Sequence, residues 1–169
     1  LGLYGEWKTF TFSLKDKFKE NFTMNNRSRG SKLSAIASII IIIAFFLPWV
    51  KACNQDLTGY EIATNSTGQV EDASVYWLTL LVPIFCLTLF FFVKNTGSAN
   101  RIGTAIARLV AGLIGFLPLL NIWYNVQQNR GNMEILYGGW LIVSGYVGII
   151  LSFFVDLYSS TNHGNLTDS

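Results

Sequence analysis

Charge is missing from four long stretches of this chain. Residues 33–50, 75–93, 109–123 and 135–155 contain no Asp, Glu, Lys or Arg, which is the pattern of membrane-crossing segments and excludes a soluble catalytic domain over most of the sequence. It also leaves no ionisable side chain near a bilayer midplane, where ion or proton pathways ordinarily need one, so a coupled transporter is disfavoured. Histidine is almost absent. The single one, His163, sits in the polar C-terminal tail, which excludes haem carriage by a His pair, His-based zinc sites and Ser–His or Cys–His nucleophiles within the chain.

Cysteine is nearly as scarce. Cys53 falls just beyond the first run and Cys86 inside the second, so their different depths argue against an internal disulfide. The absence of a Cys-x-x-Cys pair argues against a membrane thiol oxidoreductase. Cys53 reads as a free structural thiol, with a disulfide to a partner or a lipid attachment as the alternatives. No catalytic, cofactor-binding or metal-ligating residue is assigned. The chain is expected to be no enzyme and to carry no cofactor of its own, although lipid, quinone or pigment could lie against its aromatic surface.

What is present is apolar mass: 51% of the 169 residues are hydrophobic and 13% charged. A hydrocarbon core of about 30 Å needs about 20 helical residues, so the third run must extend beyond its charge-free limits, to about 102–126, with Arg108 near one end. The expected fold is all-α: an integral-membrane four-helix bundle made of two helical hairpins, with spans at about 33–50, 75–93, 102–126 and 135–157. Residues 1–32 would form an amphipathic helix and linker, 33–157 the transmembrane domain and 158–169 a polar tail. Leu1 is not an initiator Met, so the chain is expected to be either processed or incomplete at its start; with no residual signal peptide expected before residue 33, the first span is expected to direct insertion.

Sidedness follows from two independent patterns. Lys8, Lys15, Lys17, Lys19, Arg27, Arg29 and Lys32 precede the first span and Lys94, Arg101 and Arg108 join the second to the third, whereas the other two connections hold only Lys51 and Arg130. Short cytoplasmic loops carry such an excess, which places both termini in the cytoplasm, most simply at a bacterial inner membrane. Trp49 closes the first run, Trp77 opens the second, Trp123 closes the third and Trp140 opens the fourth. Indole prefers the headgroup boundary, so these four are expected to form an outer membrane-interface belt. Trp7 would mark the inner surface.

Trp7, Phe10, Leu14, Phe18 and Phe22 share one stripe of a helix wound over residues 7–22, flanked by lysines. This reads as a helix lying on the membrane, with docking on a partner protein as the alternative. The net charge of +2 gives no reason to invoke nucleic acid. The first outer connection, with Asp56, Glu61, Glu71 and Asp72, matches no calcium-loop spacing and is expected to be a solvated loop holding at most a short turn or strand. Asn65-Ser66-Thr67 is a glycosylation sequon on the correct side, relevant only to a eukaryotic source.

Small residues offer helix-packing surfaces. Gly103, Ala107, Ala111 and Gly115 recur at four-residue spacing in span three, and Ser144, Gly148 and Ser152 in span four. In lipid such stripes let backbones approach closely. The two are expected to pack against each other, with partner docking as the alternative. Pro83 leaves the Thr79 carbonyl without its helical donor and should bend span two. Arg108 and Asp156 are each expected to meet water or headgroups, with a mutual pair as the alternative.

Phe46-Leu47-Pro48-Trp49-Val50-Lys51-Ala52-Cys53 followed by Gly59-Tyr60-Glu61 resembles a pattern of uncharacterised bacterial four-span membrane proteins, and that resemblance implies no activity. The four-span layout with an enlarged first outer loop is also similar to claudin-like proteins, but their Trp…Gly-Leu-Trp…Cys…Cys loop pattern is absent, so their adhesive role is not carried over. The leading expectation is a non-catalytic accessory subunit of a larger integral-membrane complex, with an electron-transfer or photosynthetic assembly as one setting. Its partners would be membrane lipids and other membrane subunits. A small oligomeric transporter or channel, and an envelope sensor or adhesion protein using the first outer loop, are the alternatives.

Overall fold

The computed structural model of the chain describes residues 28–52, 55–64, 73–93, 98–128 and 133–164. The proposed surface helix at 7–22, Trp7, Cys53 and the sequon lie outside the described residues.

Helix α1 (Arg29–Phe45) opens on Ser28, whose side chain accepts from the Ser31 N–H at 3.2 Å. That bond satisfies one of the donors a helix start leaves free. It is followed by strands β1 (Pro48–Ala52) and β2 (Gln55–Thr58), a short helix α2 (Gly59–Thr64) and a 3-10 turn, Ala73–Trp77. Helices α3 (Leu78–Phe92) and α4 (Ser98–Gln128) come next, then strand β3 (Met133–Ile135) and helix α5 (Tyr137–Gly164).

Among the described residues, three segments are long and apolar enough to cross a membrane: Ala73–Phe92, Asn100–Gln128 and Tyr137–Ser159. They correspond to the second, third and fourth expected spans. The first differs. α1 has 17 residues, about 25 Å at the helical rise, somewhat less than a full hydrocarbon core. The helix expected over 33–50 starts earlier and stops at Phe45. Pro48 explains the stop, because it lacks an amide donor and disfavours helical backbone in the residue before it. The Phe46 and Leu47 amides bond to Ile43 and Ala44 at 3.2 and 3.1 Å, closing the last turn before the chain becomes extended.

The fold is therefore mostly helical but not all-α. β1 is the centre of a three-stranded antiparallel sheet in the order β2-β1-β3. Since β1 and β2 follow α1 while β3 lies between α4 and α5, both connections gather at one end of the bundle. The register places Lys51 directly across from Asp56 on one side and Glu134 on the other, an arrangement of opposite charges that favours this pairing. It shifts between Pro48 and Val50, so Trp49 is the extra residue of a bulge that turns its side chain into the bundle.

α1 packs between α3 and α5, and α4 closes the ring against the same two helices. Ile41, Phe45, Trp49, Ile142, Tyr146 and Ile149 form the centre of the core. Outward, Ile36, Ile39, Ile40 and Ile43 of α1 and Phe85 and Phe92 of α3 remain exposed.

Candidate functional site

The one buried ion pair among the described residues joins Arg108 of α4 to Asp156 of α5. Each side chain is 2% exposed, and Arg108 Nη2 lies 2.5 Å from Asp156 Oδ2. The other carboxylate oxygen accepts the Gly30 amide of α1 at 3.0 Å, while Arg108 Nε donates to the Thr104 carbonyl at 3.1 Å. Gly30 is obligatory here. A Cβ would overlap the Ser152 carbonyl oxygen and stand 2.5 Å from Asp156 Cγ, so only glycine lets α1 come this close. This corrects the expectation that Arg108 and Asp156 each meet water or headgroups. The helix packing turns them inward, where each neutralises the other.

Further polar groups line the interior. Ser38 Oγ donates to the Ser34 carbonyl at 2.8 Å, Ser152 Oγ to the Ile149 carbonyl at 2.6 Å, and the Cys86 thiol sits beside Ser34 and Ser38. Tyr146 Oη donates to the Thr79 carbonyl at 2.9 Å. That carbonyl is the one Pro83 deprives of its helical donor, so a hydroxyl from α5 replaces the missing amide of α3. Replacing Tyr146 with Phe should therefore cost about 1 kcal/mol, the ordinary net worth of a hydrogen bond. Thermal melting in detergent against the parent chain measures it, and no shift would mean that water serves the Thr79 carbonyl. Ser34 Oγ, Thr79 Oγ1 and Arg108 Nη1 are buried with no partner among the described residues. No group of three or more His, Cys, Asp or Glu side chains able to hold a metal occurs among those residues.

The small-residue stripes divide differently from expectation. In span three, Ala111 is buried and a Cβ on Gly115 would come within 2.5 Å of the Tyr146 ring, but a Cβ on Gly103 would meet nothing within 4 Å. Ala107 is half-buried. A four-residue repeat on a helix of about 100° per residue drifts about 40° at each step, so the stripe leaves the contact face toward Gly103. In span four, Ser144 is exposed and bonds the Leu141 carbonyl at 2.8 Å. A Cβ on Gly148 would meet Ala37 of α1 at 3.1 Å, and Ser152 lies over Gly30 of α1. Gly148 and Ser152 of α5 thus pack on α1, while Gly115 of the α4 stripe meets Tyr146 of α5.

The tryptophans also separate. Trp123 and Trp140 are exposed and meet edge to face, ring centroids 5.8 Å apart. Trp77 is half-buried against Phe45 and Tyr60. Trp49 is 1% exposed, with Nε1 donating to the Ala44 carbonyl at 2.8 Å, which removes it from the interface belt and makes it core. Its indole covers Gly59, where a Cβ would overlap the ring. Residues on either side of the β1–β2 turn thus form a physical unit: Phe46 stacks on Tyr60, Trp49 covers Gly59, and Glu61 ties down the start of α2.

Glu61 Oε2 accepts the Thr58 amide and hydroxyl, each at 2.8 Å, and Thr58 Oγ1 accepts the Glu61 amide at 3.2 Å. This is a capping box of the T-x-x-E pattern, a signal present in the sequence itself. The Thr58 amide, then its hydroxyl, hold the Glu61 carboxyl below its ordinary pKa. A depressed carboxylate stabilises the fold above its unfolded pKa and loses that contribution as pH falls through the folded value. Glu61→Gln should lower the melting temperature at neutral pH and narrow its gap to the parent chain on acidification. A gap unchanged between neutral and acid pH would refute the assignment.

No sequence signal marks Gly30, and the belt position of Trp49 and the motif position of Gly59 do not disclose their inward packing. Their roles depend on close approaches between segments distant in sequence, which periodicity does not register. Comparison of the chain with family models, with curated proteins and with solved structures found no match.

Proposed function

We propose that the chain is a non-catalytic accessory subunit of a larger integral-membrane complex, both termini facing the cytoplasm of a bacterial inner membrane. The observation that carries this reading is the Arg108–Asp156 pair. Its carboxylate has both oxygens engaged by protein and its charge cancelled by arginine, so it serves to join α1, α4 and α5 and not to bind and release ions. Tyr146 does the same for α3 and α5. The ion pair and the Tyr146 bond are thereby committed to assembly, while the outward isoleucine and phenylalanine faces of α1 and α3 are free for other helices. The Lys and Arg distribution supports the orientation. Extraction in mild detergent, native separation and mass spectrometry of the band test the proposal. Comigration with larger membrane subunits is expected, and migration of the chain alone would overturn it.

One observation favours a small transporter or channel as the second reading: the unpartnered buried atoms Ser34 Oγ, Thr79 Oγ1 and Arg108 Nη1 offer polar positions on three helices. Flux through liposomes holding only the purified chain would decide for it.

A further inference from the structure

The end of the bundle opposite the sheet holds a second arginine that the ion pair does not use. Arg101 lies about two turns before Arg108 on the same side of α4. A narrow cleft between α4 and α5 is lined there by Arg101, Ile102, Ala105, Phe153, Asp156 and Leu157. The Arg101 Nε–H is buried and has no partner among the described residues. Both oxygens of Asp156 are already engaged, by Gly30 and Arg108, so Arg101 gives the cleft one more positive charge than negative. Against hydrocarbon that excess calls for an anion. The remaining walls are apolar, with Ile102 and Leu157 exposed at the surface. A phosphate joined to acyl chains satisfies both features, because the guanidinium fork matches phosphate oxygens and the chains can run along the isoleucine, phenylalanine and leucine walls.

We propose that this cleft binds the headgroup phosphate of an anionic phospholipid, drawn from the leaflet at that end of the bundle, with Arg101 as its principal donor. The site is independent of the subunit reading above, since a solitary chain would need the same counter-ion. The test uses the purified full chain, delipidated in mild detergent and titrated in native mass spectrometry with phosphatidylglycerol and with phosphatidylcholine of identical acyl chains. One phosphatidylglycerol should bind about tenfold more tightly than phosphatidylcholine, a difference of one charge-assisted contact. Arg101→Gln should bring the two lipids level, and inorganic phosphate should not displace the bound lipid. Equal binding of both lipids by the parent chain, undiminished preference in Arg101→Gln, or displacement by inorganic phosphate would each overturn the proposal. The parent-chain comparison decides by itself if Arg101→Gln fails to fold.

Discussion

Replacing Asp156 with Ala is expected to cost about 3–5 kcal/mol of stability, because it leaves a guanidinium buried with no opposing charge. The structure gives Arg108 little means of escape: its side chain is 2% exposed and its Nε is held by the Thr104 carbonyl. The Gly30 amide loses its acceptor at the same time, which loosens α1 where it touches α5. Removing both charges should be far milder. Arg108→Met with Asp156→Leu needs no ion desolvation and is expected to recover most of the loss. Thermal unfolding in detergent, followed by circular dichroism, compares the three variants with the parent. If Asp156→Ala melts with the parent, water reaches Arg108 and the buried pair does not hold the bundle.

Trp49→Ala should have an effect of similar size at the opposite end. The indole is among the largest fully buried side chains, and truncating such a residue removes transfer free energy and opens a cavity, about 3–5 kcal/mol together. It also removes one of the two donors to the Ala44 carbonyl, which keeps the Leu47 amide, and uncovers Gly59. Trp49→Phe keeps most of the ring and loses chiefly the hydrogen bond, so about 1 kcal/mol plus a smaller packing loss is expected. Limited proteolysis offers a second readout, since the sheet should be cut faster in the alanine variant than in the phenylalanine variant. Equal, small effects of both changes would mean that the indole faces lipid, as a belt residue would.

The two sites were legible to different degrees. Hydropathy places span two at 75–93 and the apolar segment found is Ala73–Phe92, because hydropathy sums over neighbours and tolerates local error. Pro83 alone predicts that the Thr79 carbonyl lacks its helical donor, a consequence of proline's covalent structure. Its partner, Tyr146, is 67 residues away and no local rule selects it. Arg108 and Asp156 are separated by 48 residues. They sit near the ends of their apolar segments, where a side chain can turn either to water or inward. The choice depends on which helix lies across the way.

Trp49 shows the same limit. Its position at the end of an apolar run suits a belt, and composition cannot register the bulge that turns it inward. Pro48 was visible throughout, and its missing amide is reason enough to end α1 before it. The sheet was not recoverable in the same way, since β3 is only Met133–Ile135. Such a strand exists because β1 is there to pair with it.

By itself, the sequence determined what depends on summed properties: the apolar segments, the scarcity of reactive groups and the basic asymmetry of the connections. Only the tertiary structure decided which polar groups face one another, that Gly148 and Ser152 of α5 pack on α1, and that two connections share a sheet. Burial of a charge or an indole is a property of the opposing surface, and that surface comes from elsewhere in the chain.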